Sequence, residues 1–288
     1  MTKVFIDGSA GTTGLRIYER LSGRKDLELL ILPDDLRKNT DARRQMLSLA
    51  DIAFLCLPDK AAMEAVSLIE NDHVAVIDTS TAHREAIRNS KRIANPGCHA
   101  SGFIAGCYPL VAHGIVPADF PLTAYSLTGY SGGGKALIAE YEAADRDVRH
   151  ESHRIYGTTL QHKHLPEMQK LCGLKYQPVF SPILGDFYAG MATSILLPGF
   201  NAKTVWECLA DHYAGEKIVT VAPFGGDESL VYASTYAGKD TMRIQVSGHE
   251  EQTMVTTIFD NLGKGASGAA IQNMNILLGV DETTGLNV

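Results

Sequence analysis

The stretch that decides the fold is Lys3-Val4-Phe5-Ile6-Asp7-Gly8-Ser9-Ala10-Gly11-Thr12-Thr13-Gly14. Residues 3–6 read as a strand, residues 7–13 as a turn, and residues 14–21 as a helix. Glycines permit a tight turn and let a diphosphate approach the backbone, while free amides at a helix start point at the anion. Gly8, Ser9, Ala10, Gly11, Thr12, Thr13 and Gly14 are therefore the candidate cofactor cradle. The spacing is G-x-x-G-x-x-G rather than G-x-G-x-x-G, so the plain alternative is a glycine-rich turn with no ligand. What favours the cradle is its place after the first strand of a βαβ pattern.

Working outward, residues 27–32 form a second apolar run closed by Pro33, residues 52–57 a third ended by Pro58, and residues 74–77 a fourth. Helical periods such as residues 61–70 separate them. Runs that are apolar on both faces suit a parallel sheet covered by helices on each side. The expectation is an α/β, Rossmann-like dinucleotide-binding domain. Asp34 and Asp35 stand where an acidic residue would bond a ribose hydroxyl, yet Arg37 and Lys38 follow and suit a 2′-phosphate, so spacing leaves NAD and NADP both open.

Beyond Cys98 the texture changes. Helices are expected over residues 101–113, 136–148 and 206–213, and strands over residues 122–127, 192–197, 218–221, 231–236 and 242–246. Residues 129–135 read as a loop and residues 268–279 as a late helix. Strands gathered together with few helices predict a second α+β domain on a mostly antiparallel sheet. A length of 288 residues accommodates two such domains.

Hydrophobic residues at 45% and charged ones at 20% make an ordinary globular balance. A net charge of -7 argues against nucleic-acid binding, which needs a surplus of Lys and Arg. No apolar run approaches the roughly 20 residues that span a bilayer, and the N-terminus has no signal-peptide layout. Five scattered cysteines do not make a disulfide framework. A soluble, cytoplasmic protein with reduced thiols is expected.

Asn95-Pro96-Gly97-Cys98-His99-Ala100 carries the chemistry. Pro96 and Gly97 force a turn, and the helix that follows puts Cys98 near a helix N-terminus, where the dipole and free amides favour a thiolate. A thiolate attacks acyl carbons and leaves them readily, splitting one hard transfer into two easier steps. Cys56, Cys107, Cys172 and Cys208 lie in apolar or helical runs and read as structural. His162-Lys163-His164-Leu165-Pro166-Glu167 offers a base, since either histidine can trade a proton with a thiol or a carbonyl oxygen. No paired metal-ligand spacing supports a metal site.

These stretches together resemble the N-acetyl-gamma-glutamyl-phosphate reductase family, in its shorter form. The resemblance extends over residues 8–14, 78–80, 95–98, 129–135 and 162–167 and the tail of residues 260–275, Asp-Asn-Leu-Gly-Lys-Gly-Ala-Ser-Gly-Ala-Ala-Ile-Gln-Asn-Met-Asn. It implies NADPH-dependent reduction of an acyl phosphate to an aldehyde with release of phosphate. Cys98 would form a thioester and His164 would be the acid/base group, with Tyr156 and His162 lining the substrate pocket. Ser80, Gly132 and Asn273 would join residues 8–14 near the cofactor. It further implies that the tail helix returns to the nucleotide domain, giving domains of residues 1–97 with 268–288 and of residues 98–267, and that the protein assembles as a homotetramer. The family's longer form has an arginine where this chain has Ala189, which leaves Arg84, Lys135 and Arg154 as candidate anchors for the substrate's anionic groups. Two rival readings remain: an aspartate-semialdehyde dehydrogenase-like enzyme, and a non-catalytic dinucleotide-binding redox sensor built on Cys98.

Overall fold

The computed structural model describes residues 1–71, 73–77, 84–226 and 230–288. In chain order it begins with β1 (Thr2–Asp7), α1 (Thr12–Leu21), β2 (Leu27–Leu30), α2 (Thr40–Leu49), β3 (Ile52–Leu55), α3 (Asp59–Ser67), β4 (Ala75–Ile77), α4 (Arg84–Arg88) and β5 (Arg92–Ile93). The middle of the chain runs α5 (Cys98–Ala112), β6 (Thr123–Gly129), α6 (Gly134–Glu142), β7 (Arg154–Ile155), α7 (Leu165–Cys172), β8 (Val179–Gly185), β9 (Met191–Pro198), α8 (Ala202–His212), β10 (Val219–Val221), β11 (Met242–Gly248) and β12 (Gln252–Phe259). The helix α9 (Gly268–Leu278) follows. The chain divides into two compact units, one of Met1–Asn95 with Ala266–Leu286, the other of Pro96–Gly265 with Asn287–Val288.

The first unit is a parallel sheet of order β2-β1-β3-β4-β5. Val4 and Ile6 of β1 face one core with Ile17, Leu21 and Phe54, and Phe5 faces another with Leu47 and Ala53. Alternate side chains of one strand thus bury on opposite faces, as a doubly covered sheet requires. Helix α9 belongs to this unit: Ala270, Ile271 and Met274 complete the Val4–Ile6 core. Strand order reverses between β1 and β3, and the glycine turn leaves the carboxyl end of β1 at that point, where open α/β sheets bind ligands.

The second unit is a mixed sheet of order β10-β11-β12-β9-β6-β8-β7. Four of its pairings are antiparallel, and two, β10 with β11 and β6 with β8, are parallel. Helices α5, α7 and α8 bury Phe103, Met168 and Val205 with Ala124, Phe180 and Ile195 of the sheet. Asn201 caps α8, accepting from the Lys203 and Thr204 amides, and Gly173 ends α7 in the left-handed region at φ 68.

Several local expectations change. Residues 231–236 are not a strand: Thr235 donates its amide to the Tyr232 carbonyl and Ala237 to Ser234, a succession of turns that overrides the β-branched composition. The Gly190 backbone packs on this segment so closely that a Cβ would lie 2.4 Å from the Ala233 carbonyl. Conversely, β12 sits between β11 and β9, although its polar start and interior threonines mask it; Thr253, Thr256 and Thr257 are all buried. Strand β8 and helix α2 also escape the pattern reading. The expected loop of residues 129–135 contains a 3-10 turn, Tyr130–Gly133, and α6 then ends at Glu142 rather than near residue 148. No described helix is long and apolar enough to cross a membrane.

Candidate active site

The cradle of the first unit is built by exclusion of side chains. Gly8 has φ +88, and a Cβ there would stand 2.3 Å from the Cys56 carbonyl; one on Gly14 would stand 2.3 Å from the Gly8 carbonyl. Both positions therefore require glycine. The Gly11 amide closes the turn on the Gly8 carbonyl at 2.9 Å, and Gly11 caps α1 with no side-chain hydrogen bond to the first amides. The helix start is left open for an anion, with the hydroxyls of Ser9, Thr12 and Thr13 on the same turn. Asp7, at the end of β1, is buried against Arg43, whose Nε and Nη2 donate to Oδ2 at 3.0 and 2.8 Å. Burial still raises its pKa above the usual carboxylate value, against the pull of Arg43. Of the two cations beyond β2, Arg37 is engaged by Asp34 at 2.9 Å.

In the second unit Cys98 is the first residue of α5, and Gly97 its N-cap. The Gly97 amide donates to Glu167 Oε2 at 2.8 Å, tying the cysteine turn to the first turn of α7. The His164 ring lies on Gly97: a Cβ at that glycine would fall 1.9 Å from Nε2 and 2.2 Å from Cε1. Gly265 backs the cysteine, where a Cβ would come 3.0 Å from that of Cys98. The expectation of a thiolate stabilised at rest is overturned. Burial pushes the Cys98 thiol up to about 11; its own amide, that of His99 and the Lys163 ammonium pull down less, and Glu167 adds to the rise. The dipole is real, but desolvation of an anion outweighs it here.

Around this turn three imidazoles gather. His162 and His164 have ring centroids 4.7 Å apart, and His99 lies 5.3 Å from the first and 5.7 Å from the second. Tyr156 closes the group, 6.0 Å from His162, with its hydroxyl 2.7 Å from His99 Nε2. Burial first, then His162 and Lys163, hold the His164 pKa down to about 3, so its ring is neutral at pH 7. Its Nδ1 is buried without a partner among the described residues. The His162 pKa is lowered too, by burial and Lys163, and its Nδ1 accepts the His164 amide at 3.2 Å.

A scan of family models matches residues 98–261 to the dimerisation domain of semialdehyde dehydrogenases. Over the whole chain, the N-acetyl-gamma-glutamyl-phosphate reductase 2 of Nostoc sp. is 41% identical, with 99% of each chain covered. The N-acetyl-gamma-glutamyl-phosphate reductase of Sinorhizobium medicae is 44% identical, covering 96% of this chain and 98% of that one. The chain belongs to the N-acetyl-gamma-glutamyl-phosphate reductase family. Membership implies an oxidoreductase that works with a dinucleotide cofactor. Among solved structures, aspartate semialdehyde dehydrogenase II of Vibrio cholerae superposes with a TM-score of 0.71 at 17% identity, covering 96% of this chain and 98% of that one. At that identity the likeness establishes a shared fold alone.

The remaining expected residues fall as follows. Ser80 lies outside the described residues, with its neighbours Asp78 and Thr79. Gly132 is exposed on the 3-10 turn, which Asn261 holds from the tail by donating to Ser131 Oγ at 3.0 Å and accepting the Gly190 amide at 2.8 Å. Asn273 is buried in α9 and donates to Asn95 Oδ1 at 2.6 Å within the first unit. Of the candidate anchors, Arg84 pairs with Glu282 at 2.6 Å, and Arg154 lies over the Tyr141 ring at 5.5 Å. Lys135 is exposed at the start of α6.

Sequence reasoning missed His99. Quoted only within the cysteine turn, it is 3% exposed and bonded at both ring nitrogens. The signal was available: at the second position of an apolar helix, one residue beyond an N-terminal thiol, its side chain turns into the sheet. Gly97, read only as a turn former, and Glu167, quoted only as a motif letter, also prove to be parts of the site.

Proposed function

We propose that the protein reduces N-acetyl-glutamyl 5-phosphate to N-acetylglutamate 5-semialdehyde with release of phosphate, a reaction the names of its relatives support, and that NADPH is the reductant. The observation that carries this is Cys98 at the head of α5 with a neutral, buried His164 ring against the adjoining Gly97. The Cys98 sulfur attacks the acyl carbon and phosphate leaves, giving a thioester. Because the thiol is protonated at neutral pH, its proton must leave as the sulfur–carbon bond forms, and His164, whose ring lies against Gly97, is assigned as the acceptor. When bound, the nicotinamide supplies the hydride that carries the thioester to the oxidation level of the aldehyde. Reformation of the carbonyl then expels the thiolate, which recovers its proton from His164.

The cofactor's diphosphate fits residues 8–14, where two positions admit no Cβ and the helix amides carry no side-chain cap. Ser80, Gly132 and Asn273 are assigned near the cofactor, and Tyr156 and His162 to the substrate pocket. The NADP preference and a homotetramer assembled through the second unit belong to the same reading; the match to a dimerisation domain supports self-association of that unit.

The test runs the reaction backward. Purified protein given N-acetylglutamate semialdehyde and phosphate is expected to reduce NADP, and Cys98→Ser to lose about 10³-fold or more of that rate with cofactor affinity intact. Inertness toward this substrate, with turnover of aspartate semialdehyde, would transfer the reading to the rival enzyme. A Cys98→Ser variant that no longer binds cofactor would make the cysteine structural.

A further inference from the structure

The buried side of the histidine cluster continues as a chain of hydroxyls. His99 Nε2 lies 2.7 Å from the Tyr156 hydroxyl, and His99 Nδ1 lies 2.8 Å from Ser126 Oγ. Ser126 Oγ in turn lies 2.8 Å from Thr193 Oγ1. Ser126 and Thr193 are directly paired across β6 and β9, and both are wholly buried. The backbone of α5 lies close above, where a Cβ on Gly102 would come within 2.7 Å of the Thr193 and Thr257 hydroxyls. Thr257 spends its own hydroxyl on the Thr193 carbonyl at 3.4 Å.

Hydrogen counting fixes the direction of this chain. The His99 pKa lies well below 6.5, through burial and the neighbouring His164 and His162, so the ring carries one hydrogen. If that hydrogen sits on Nδ1, it points at Ser126 Oγ, and Ser126 and Thr193 have only each other to donate to. One of the two hydroxyl hydrogens is then stranded at a site with no water access, whichever way the pair is turned. If the hydrogen sits on Nε2, every buried donor is used: Thr193 donates to Ser126, Ser126 to Nδ1, and Nε2 to the Tyr156 oxygen. The hydrogen left over is that of Tyr156, which is half-buried.

We propose that His99 is a positioning residue which, as the Nε2–H tautomer, holds the Tyr156 oxygen as an acceptor and so leaves the Tyr156 hydroxyl hydrogen free to bond an oxygen of the acyl substrate. Two strand hydroxyls thereby set which way the tyrosine donates. This rests on the acyl-phosphate reading for the identity of the ligand, but the tautomer itself does not.

The first test therefore uses no substrate. Protein labelled with [15N]histidine, with His99 assigned by its absence from a His99→Gln variant, is expected to give the long-range 1H–15N pattern of an Nε2–H imidazole at neutral pH. An Nδ1–H pattern would overturn the proposal even if the enzyme is active, whereas an Nε2–H pattern in a protein inert toward acyl phosphates would refute only the functional reading. The second test is kinetic. His99→Gln keeps an N–H near the Nε2 position and is expected to retain kcat within a few-fold, while His99→Asn reaches only as far as Nδ1 and is expected to lose roughly 10-fold. In a Tyr156→Phe background the difference between Gln and Asn is expected to vanish. Equal losses in both backgrounds, with unchanged cofactor affinity, would reduce His99 to a packing residue and end the proposal.

Discussion

The two glycine-capped helix starts, Gly11 before α1 and Gly97 before α5, share a local design and differ in chemistry. In each the N-cap is a glycine, which has no side chain to bond the first amides. At Gly11 the turn is half-open and no carboxylate among the described residues bonds it, so the partial positive charge is available to an incoming anion. At Gly97 a carboxylate from α7 takes the cap's amide and the thiol that follows is desolvated, so the same dipole fails to ionise its own cysteine. A helix N-terminus therefore favours an anion only to the extent that solvent and neighbouring charges let it. The cysteine turn compensates with a base, which the glycine turn does not need.

The strongest way to break this contrast is to remove the base. His164→Asn is expected to slow turnover by roughly 10²–10⁴-fold while leaving cofactor affinity unchanged. An unchanged rate, measured by stopped-flow reduction of NADP, would mean that the thiol ionises unaided and that the two turns work alike.

Exchanging the glycines sharpens the contrast with a smaller effect. Gly8→Ala forces a methyl into the Cys56 carbonyl at a positive φ and is expected to weaken cofactor binding by roughly 10–100-fold, the scale of an overpacked site. Alkylation of Cys98 should be unaffected. Gly97→Ala drives a methyl into the His164 ring and should do the reverse, with kcat falling at constant cofactor affinity. If both variants lose the same property, the two turns are not separable functions.

How much of this was legible depended on whether the information is local. Strand β1 and its turn could be read because apolar character on both faces, then glycine, then a helix, all lie within 20 residues. Cys98 stood out among five cysteines because a turn precedes it. The pKa of that cysteine was not legible, since it depends on Glu167, Lys163 and burial contributed by elements up to 69 residues away. Strand β12 was hidden for a related reason: its threonines are polar in composition but are buried, with their hydroxyls bonded to Ser194, the Phe200 carbonyl and the Thr193 carbonyl, partners distant in sequence. The role of His99 needed Ser126 and Thr193, which meet only through strand register.

The finest distinction concerns the charge at the cysteine turn. With its pKa near 11, Cys98 is protonated across neutral pH, so alkylation by iodoacetamide in the free protein should rise about tenfold per pH unit from 7 to 10, with no plateau at 9. The sign for stability follows from linkage. An unfolded thiol ionises at a lower pH than the folded one, so stability falls as pH rises through the window between 9 and 11. Replacing Cys98 by serine should remove that part of the alkaline loss. Glu167→Gln keeps an oxygen to accept the Gly97 amide but deletes the negative charge that disfavours the thiolate. Alkylation at pH 8 should therefore quicken, by only a few-fold, because burial rather than Glu167 is the larger cause. A thiol that already titrates below 9 in the unmodified protein would reverse the comparison, making the cysteine turn as effective a home for an anion as the glycine turn.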